Sequence, residues 1–442
     1  MKVINVSAIF CIAVVLSGCG GGGSSNEPGV IQSVTPAAAA AMAAPVMKIT
    51  PMKVFSTSYE NKNSIEFDQT QISSVRGLGI PKVYSDEQDS NERSITFGDF
   101  FQEGKYSAFI SSNRAANIYG IANLTDIPGV AYFLSQDDKG IWRDRTSQLL
   151  KNAADRETCV SSSFSITADF NNDGKPDVYI ACNGVDYDIS FLGFSISELI
   201  YRATSNQIIF LSQADGTYKR IEVPFRIYAH QAAAGDLNGD GFIDIVTISA
   251  ADPNFIKVAV LLGKGDGTFT ETKDKTLVPS HSNIETLHNI WTLSLIPIEG
   301  RLDLLLHGAT PGVTYWVKGN MKGGFDFSNV SKIIMANSIA KGVQYIHPTD
   351  AVYDNGYFYF YTYTVLGDEY AIVKYSTQTN TSSIIYTMDR PVNSLWGDIP
   401  ISGQIKPTSA GTFVAYSGGC PANPLTRIVI KVGGCAINVK FK

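Results

Sequence analysis

The sequence predicts an all-β fold built from repeated four-stranded antiparallel units, on three observations. A nine-residue Asp-rich motif occurs twice, and degraded versions of it recur at a regular interval. Each copy runs directly into a β-branched, apolar stretch. Between the copies lie further pairs of such stretches joined by Gly-containing turns. Composition agrees: of 442 residues 44% are hydrophobic and only 17% charged, with 39 Gly, 21 Tyr and 23 Phe. Soluble domains usually carry about 25% charged residues. So little charge beside so much apolar content excludes a mostly disordered chain. A net charge of -6 argues against a nucleic-acid partner, which would call for a basic face.

The chain starts with a targeting segment. Lys2 supplies a positive start and Val3–Leu16 an apolar run too short for a comfortable membrane span, as in a secretory signal. Leu16-Ser17-Gly18-Cys19 resembles the bacterial lipobox, which implies that residues 1–19 are a signal ending at a lipidated Cys19. Gly20 after the cysteine resembles the outer-membrane sorting pattern. The expected place is therefore the bacterial cell envelope, at the outer membrane, held by acyl chains. Residues 20–46, with a Gly-Ser stretch and an Ala-Pro stretch, read as a flexible tether. The folded body is then 47–442.

Cys11 falls in the signal and Cys19 is the lipid site, leaving Cys159, Cys182, Cys420 and Cys435. An even number in an exported chain points to two disulfides. Three pairings are possible, and the sequence-local one is expected, Cys159–Cys182 with Cys420–Cys435. No C-x2-C pair supports a zinc site.

The two full motifs are Asp169–Asp177 and Asp236–Asp244, both D-x-N-x-D-G-x-x-D. Oxygen side chains at positions 1, 3, 5 and 9 are Asp169, Asn171, Asp173 and Asp177 in the first, and Asp236, Asn238, Asp240 and Asp244 in the second. A tight loop with this spacing aims hard oxygens at one Ca²⁺, which takes six to eight. Glycine at position 6 permits the turn. The backbone carbonyl at position 7, Lys175 or Phe242, is placed to complete the shell. An EF-hand needs a late bidentate Glu and flanking helices, but position 12 is Ile180 or Thr247 and a strand follows.

Degraded copies start at Asp99 (with Glu103 and Gly104), precede Asp303 (with Glu299 and Gly300), start at Asp350 (with Asp354 and Asn355), and end with a bare turn at Gly411. The turns lie about 55–70 residues apart, a spacing suited to a propeller or similar array. A second element recurs between them. Asp215-Gly216-Thr-Tyr218 and Asp266-Gly267-Thr-Phe269 lie between apolar runs and read as hairpins, joined by weaker examples at Tyr132–Trp142 and Tyr315–Phe325. Each unit is strand, Asp loop, strand, connection, strand, turn, strand, which is one propeller blade.

Residues 160–275 resemble the FG-GAP/VCBS repeats of integrin-α-like β-propellers. The resemblance implies that the Asp loop joins the first two strands of a blade and binds Ca²⁺, giving about two sites in this chain. Units that have lost their oxygens are expected to bind none. Six turns account for six blades. The stretches 53–59 and 64–72 are read as completing a seventh, so seven blades are expected, or six. The last strands run to the chain end.

No His pattern, Ser elbow or phosphate loop appears, so no catalytic residue is assigned. His230, His288 and Trp291 are the candidates to face a ligand, with His230 on an inner strand facing a central channel. The aromatic run Tyr357–Tyr363 reads as a half-buried strand. Two functions follow. The first is a calcium-stabilised, membrane-anchored propeller that binds a protein or glycan. The alternative is a polysaccharide lyase or glycosidase, since related propellers occur in such enzymes.

Overall fold

The computed structural model describes residues 59–61, 65–71, 90–105, 107–114, 128–138, 142–184, 195–249, 257–279, 290–308, 313–335, 347–363, 369–389, 404–407, 413–417 and 435–440. All belong to the unit Met47–Lys442. The signal, Cys11, Cys19, the tether, His288 and Cys420 lie outside them.

In chain order, β1 (Tyr59–Asn61) and β2 (Ile65–Gln71) come first. Blade 1 is β3 (Ser90–Gly98), β4 (Ser107–Arg114), β5 (Ala131–Gln136) and β6 (Trp142–Asp144). After a short helix α1 (Thr146–Leu149), blade 2 is β7 (Ser161–Ala168), β8 (Asp177–Asn183), helix α2 (Ile196–Ala203), β9 (Ser205–Ser212) and β10 (Tyr218–Ile227). Blade 3 is β11 (Ala229–Gly235), β12 (Asp244–Ser249), β13 (Lys257–Gly263) and β14 (Phe269–Glu271). Blade 4 is β15 (Ile290–Ile298), β16 (Arg301–Gly308), β17 (Val313–Gly319) and β18 (Phe325–Ile334). Blade 5 is β19 (His347–Asp354), β20 (Tyr357–Tyr363), β21 (Glu369–Ser376) and β22 (Thr381–Asp389). The last strands are β23 (Gln404–Pro407), β24 (Phe413–Ser417) and β25 (Cys435–Lys440).

Within each blade the strands pair antiparallel in sequence order. The count of seven blades, or six, is corrected: the described residues form five four-stranded blades. The remaining strands form one five-stranded sheet, β1-β2-β25-β24-β23, so 59–61 and 65–71 pair with the end of the chain instead of building a further blade. Phe67 of β2 faces Val439 of β25 in register. This sheet places β23 against β19 and β24 against β3.

The middle strands are buried on both faces, which is why they read as continuous apolar runs rather than alternating ones. Val178, Tyr179, Ile180 and Ala181 of β8 are all fully buried. Phe358, Tyr359, Phe360 and Tyr361 of β20 are buried too, so the middle of that aromatic stretch is core on both sides, while Tyr357 at its start is partly exposed. Pro224 sits where the outermost strand β10 slips register between Val223 and Arg226, a position that donates nothing to the sheet. Four apolar clusters fill the four boundaries between successive blades, for example Phe109 and Phe133 of blade 1 with Ile180 and Phe210 of blade 2.

The two sequence motifs meet across those boundaries. The position-2 residue of each Asp loop packs on the aromatic residue after the next blade's hairpin turn: Phe100 on Tyr218 at 6.2 Å and Phe170 on Phe269 at 5.9 Å between ring centroids. Leu237 and Phe325 share a cluster in the same way. The hairpin glycine then donates to the loop carbonyl, Gly267 N to Phe170 O at 3.0 Å and Gly324 N to Leu237 O at 2.7 Å. Gly323 has φ +91°, and a Cβ there would lie 2.5 Å from the Asn238 carbonyl carbon, so only glycine fits this joint.

Cys159 and Cys182 form a disulfide with Cα atoms 5.8 Å apart, buried in the cluster between blades 1 and 2. Closing a loop of 23 residues stabilises by about 3 kcal/mol in the chain-entropy model. The double variant Cys159→Ala, Cys182→Ala is expected to lose about that much, read as a lower urea midpoint with a somewhat steeper slope as the freed unfolded chain expands. Cys435 opens β25; its pairing with Cys420 falls outside the described residues.

Candidate functional site

Strand order gives the blades two unlike ends. First strands run into the Asp loops, so these loops and the hairpins between third and fourth strands lie together at one end, the turn end. The connections between second and third strands, and those from one blade to the next, lie at the other, the loop end. Loops on a rigid frame are where binding groups concentrate.

At the turn end the two Asp loops are built alike. In blade 2, Asp169 accepts from the backbone N–H of Asp173 (3.0 Å) and Gly174 (2.7 Å), and Asn171 from Asp173 N (3.2 Å). Asp173 accepts from Lys175 N (2.9 Å). In blade 3, Asp236 accepts from Gly239, Asp240 and Gly241, Asn238 from Asp240, and Asp240 from Phe242. Gly174 and Gly241 have φ +79° and +88°, as the tight turn requires.

The ninth residue behaves differently. Asp177 is fully buried and accepts from Ser212 N (2.7 Å), Ser212 Oγ (2.7 Å), Phe170 N (2.8 Å) and Asn171 N (3.3 Å). A carboxylate offers about four lone-pair sites, and these contacts use them. Asp244, also buried, accepts from Leu237 N and Gly263 N at 2.8 Å each. Burial pushes both carboxyls up to about 6, against the pull of their backbone donors. Asp303 plays the same part in blade 4, accepting from Gly319 N at 2.9 Å although its loop has Leu295 and Pro297 where the full motif has oxygens at positions 1 and 3. The shared role is therefore to staple the start of the second strand to the end of the third.

The chemistry of the donor set still fits a hard cation, because every side chain turned into each loop is an oxygen donor. Asp169 and Asn171 use one lone pair per oxygen on the loop's own N–H groups and keep the other. Lys175 turns its amine to Gln213 O at 2.9 Å, away from the loop. Among the described residues no group of three His, Cys, Asp or Glu side chains converges as a metal site. A cleft of about 260 Å³ lies beside the blade 3 loop, between Asp236, Arg301, Asn320 and Met321. Its one cation is already matched, with Arg301 bonded to Asp303 at 2.8 Å and Glu299 at 3.3 Å.

At the loop end, β11 and β15 start side by side. Tyr228 stands just before β11, and its ring lies 4.8 Å from that of His230. His230 in turn meets Trp291 of the next blade edge-on at 5.6 Å. Two of the three residues singled out from the sequence are thus brought together, and Tyr228 joins them. The signal for Tyr228 was its place beside His230 in the short link between blades. The indole of Trp291 is 42% exposed while His230 is 8% exposed. The neighbouring Gln231 ties three blades together, accepting from Leu293 N (2.9 Å) in blade 4 and donating to Thr349 O (2.6 Å) in blade 5.

The same inner strands hold a buried polar chain that the sequence did not flag. His307 contacts Ser294 Oγ at 3.1 Å through Nε2 and Thr314 Oγ1 at 2.9 Å through Nδ1, and Ser294 donates to Asp350 at 2.7 Å. Burial pulls His307 down to about 3, so it stays neutral. Serine, not histidine, occupies the middle of this chain, which is the wrong order for a nucleophilic triad.

These blades define the chain as a β-propeller. No family model matches it, and no curated protein matches its sequence. Solved structures do. A glucose dehydrogenase-like oxidoreductase from Thermus thermophilus is 10% identical over 85% of this chain and 100% of its own, at a TM-score of 0.40. A β-xylosidase is 9% identical over 64% and 92%, at 0.38. A family 117 glycoside hydrolase from Zobellia galactanivorans is 11% identical over 86% and 92%, at 0.35. None of the three assigns an activity or a residue to this chain.

Proposed function

We propose that this propeller engages polysaccharide at its loop end and degrades it, as a lyase or glycosidase. The observation that carries the reading is the cluster of Tyr228, His230 and half-exposed Trp291. An exposed indole offers a flat apolar face on which the C–H side of a sugar ring packs. Beneath it stands the side chain best suited to move a proton near neutral pH. The second reading is a glycan-binding module without catalysis, favoured by the burial of His230. We further propose Ca²⁺ at the two Asp loops, held by Asp169, Asn171 and Asp173 and by Asp236, Asn238 and Asp240, with the carbonyls of Lys175 and Phe242. The ion would brace the turn end by neutralising clustered carboxylates. Asp177 and Asp244 anchor each loop to the sheet. Lipidation at Cys19, attachment to the cell envelope and descent from FG-GAP/VCBS repeats complete the proposal, supported by the lipobox-like and repeat motifs in the sequence.

The test is a panel of plant, algal and bacterial polysaccharides incubated with the full chain, reading both retention and the release of new reducing or unsaturated ends. Release of ends that His230→Gln abolishes supports the enzyme. Retention without release assigns the second reading. Trp291→Ala is expected to weaken retention about tenfold, some 1.4 kcal/mol. A panel that is neither retained nor cleaved overturns both.

A further inference from the structure

We infer that the polysaccharide engaged at the loop end is anionic, carrying carboxylate or sulfate groups, and that Arg226 reads that charge; the inference rests on the reading just proposed. Arg226 is the last residue but one of β10, two residues before Tyr228, so the two backbones lie at most about 7 Å apart. It therefore belongs to the same end, and the same short link, as the aromatic cluster.

Three features set this arginine apart. Its guanidinium lies flat over the Tyr201 ring, 3.8 Å from the centroid. Nε donates to Thr204 Oγ1 at 3.1 Å and Nη2 to Tyr201 O at 2.6 Å, so the side chain is fixed by the last turn of α2. And among the described residues no carboxylate pairs with it, as with Arg156 and Arg220, whereas Arg143, Arg145, Arg202 and Arg301 each have an acidic partner within 3.3 Å; of the three without one, Arg226 is the one stacked on an aromatic ring. Two of the five N–H donors are used, leaving the rest of a rigid fork exposed to solvent. A fork held in place before binding loses little entropy on meeting a planar carboxylate or a sulfate, for which its spacing is suited. In a chain of net charge -6, such a cation beside an exposed aromatic pair is a selective feature for an anionic sugar.

The competing role is a helix cap, since Arg226 bonds a C-terminal carbonyl of α2, where cations are favoured. Matched polymers separate the roles. The full chain is titrated with polygalacturonate against its methyl-esterified form, and with dextran sulfate against dextran. The two pairs tell carboxylate from sulfate. At least a tenfold preference for one charged form is expected, falling to near parity in Arg226→Gln and partly kept in Arg226→Lys. Trp291→Ala is expected to weaken charged and neutral forms alike. Equal binding of charged and neutral polymers, or an Arg226→Gln loss shared by both, overturns the inference while leaving the polysaccharide reading intact. If no polysaccharide of the wider panel is retained, the reading itself fails.

Discussion

Asp177→Ala is expected to destabilise the protein by at least about 3 kcal/mol whether or not calcium is present, while Asp173→Ala costs less and removes a calcium response. The difference follows from where the two carboxylates spend their oxygens. Asp177 is buried against the N–H groups of Phe170, Asn171 and Ser212 and the hydroxyl of Ser212. Truncation strands these donors without water, at about 1–3 kcal/mol for each one left unsatisfied. It also opens the joint between β8 and β9. Asp173 sits at the exposed rim of its loop, where water replaces what is lost. Thermal melts of the two variants and the wild type, in excess calcium and in chelator, give the check. Wild type is expected to melt higher with calcium. Asp173→Ala with Asp240→Ala should erase that rise, and Asp177→Ala should melt lowest in both buffers. An unchanged wild-type melt in chelator would remove calcium from the proposal yet leave the staple standing, because Asp303 makes the same bond in a loop that lacks oxygens at positions 1 and 3.

What was legible in the sequence was local. The Asp loops and the Asp-Gly turns are each written within ten residues, and their glycines and side-chain oxygens are required by the turn itself. The strands after them show as apolar runs because they are buried on both faces. The joint between these motifs was not legible. Phe170 and Phe269 stand about a hundred residues apart in the chain, and nothing near either one names its partner. The blade count failed for the same reason. The stretches 53–59 and 64–72 look like one more strand pair in the series, and only the register of Phe67 with Val439 shows that β2 completes a sheet with the strands after blade 5. The ninth-position aspartates were visible, but spacing alone cannot tell an oxygen turned to a cation from one turned to buried backbone N–H groups. At the loop end, His230 and Trp291 were found as separate residues on successive blades. Their contact is a product of two strands starting side by side, and the packing of Arg226 on Tyr201 depends on a helix placed by the same frame.

His307 is expected to make the protein acid-sensitive over a defined window. Its ring is fully buried and hydrogen-bonded at both nitrogens, and burial pulls it from 6.5 to about 3. Above pH 6.5 it is neutral in both folded and unfolded chains and leaves stability unaffected by pH. Below that, the unfolded chain takes up a proton that the folded one refuses. Stability then falls by about 1.4 kcal/mol per pH unit, to a total of about 5 kcal/mol near pH 3. Asp177 and Asp244 act in the opposite sense. Each is raised to about 6, so the folded chain binds their protons first and gains stability as pH falls from 6 towards 3.8. The two trends overlap with opposite sign, and the two aspartates together outweigh the one histidine, so a wild-type profile alone hides the histidine's share. The difference between wild type and His307→Gln isolates the histidine: the variant is expected to lose stability at pH 7 through poorer packing, and to close that gap steadily between pH 6.5 and pH 4. Urea midpoints at each pH supply the measurement. A gap that stays constant across this window would mean that His307 takes up its proton over the same pH range in the folded protein as in the unfolded chain, against the pull of burial.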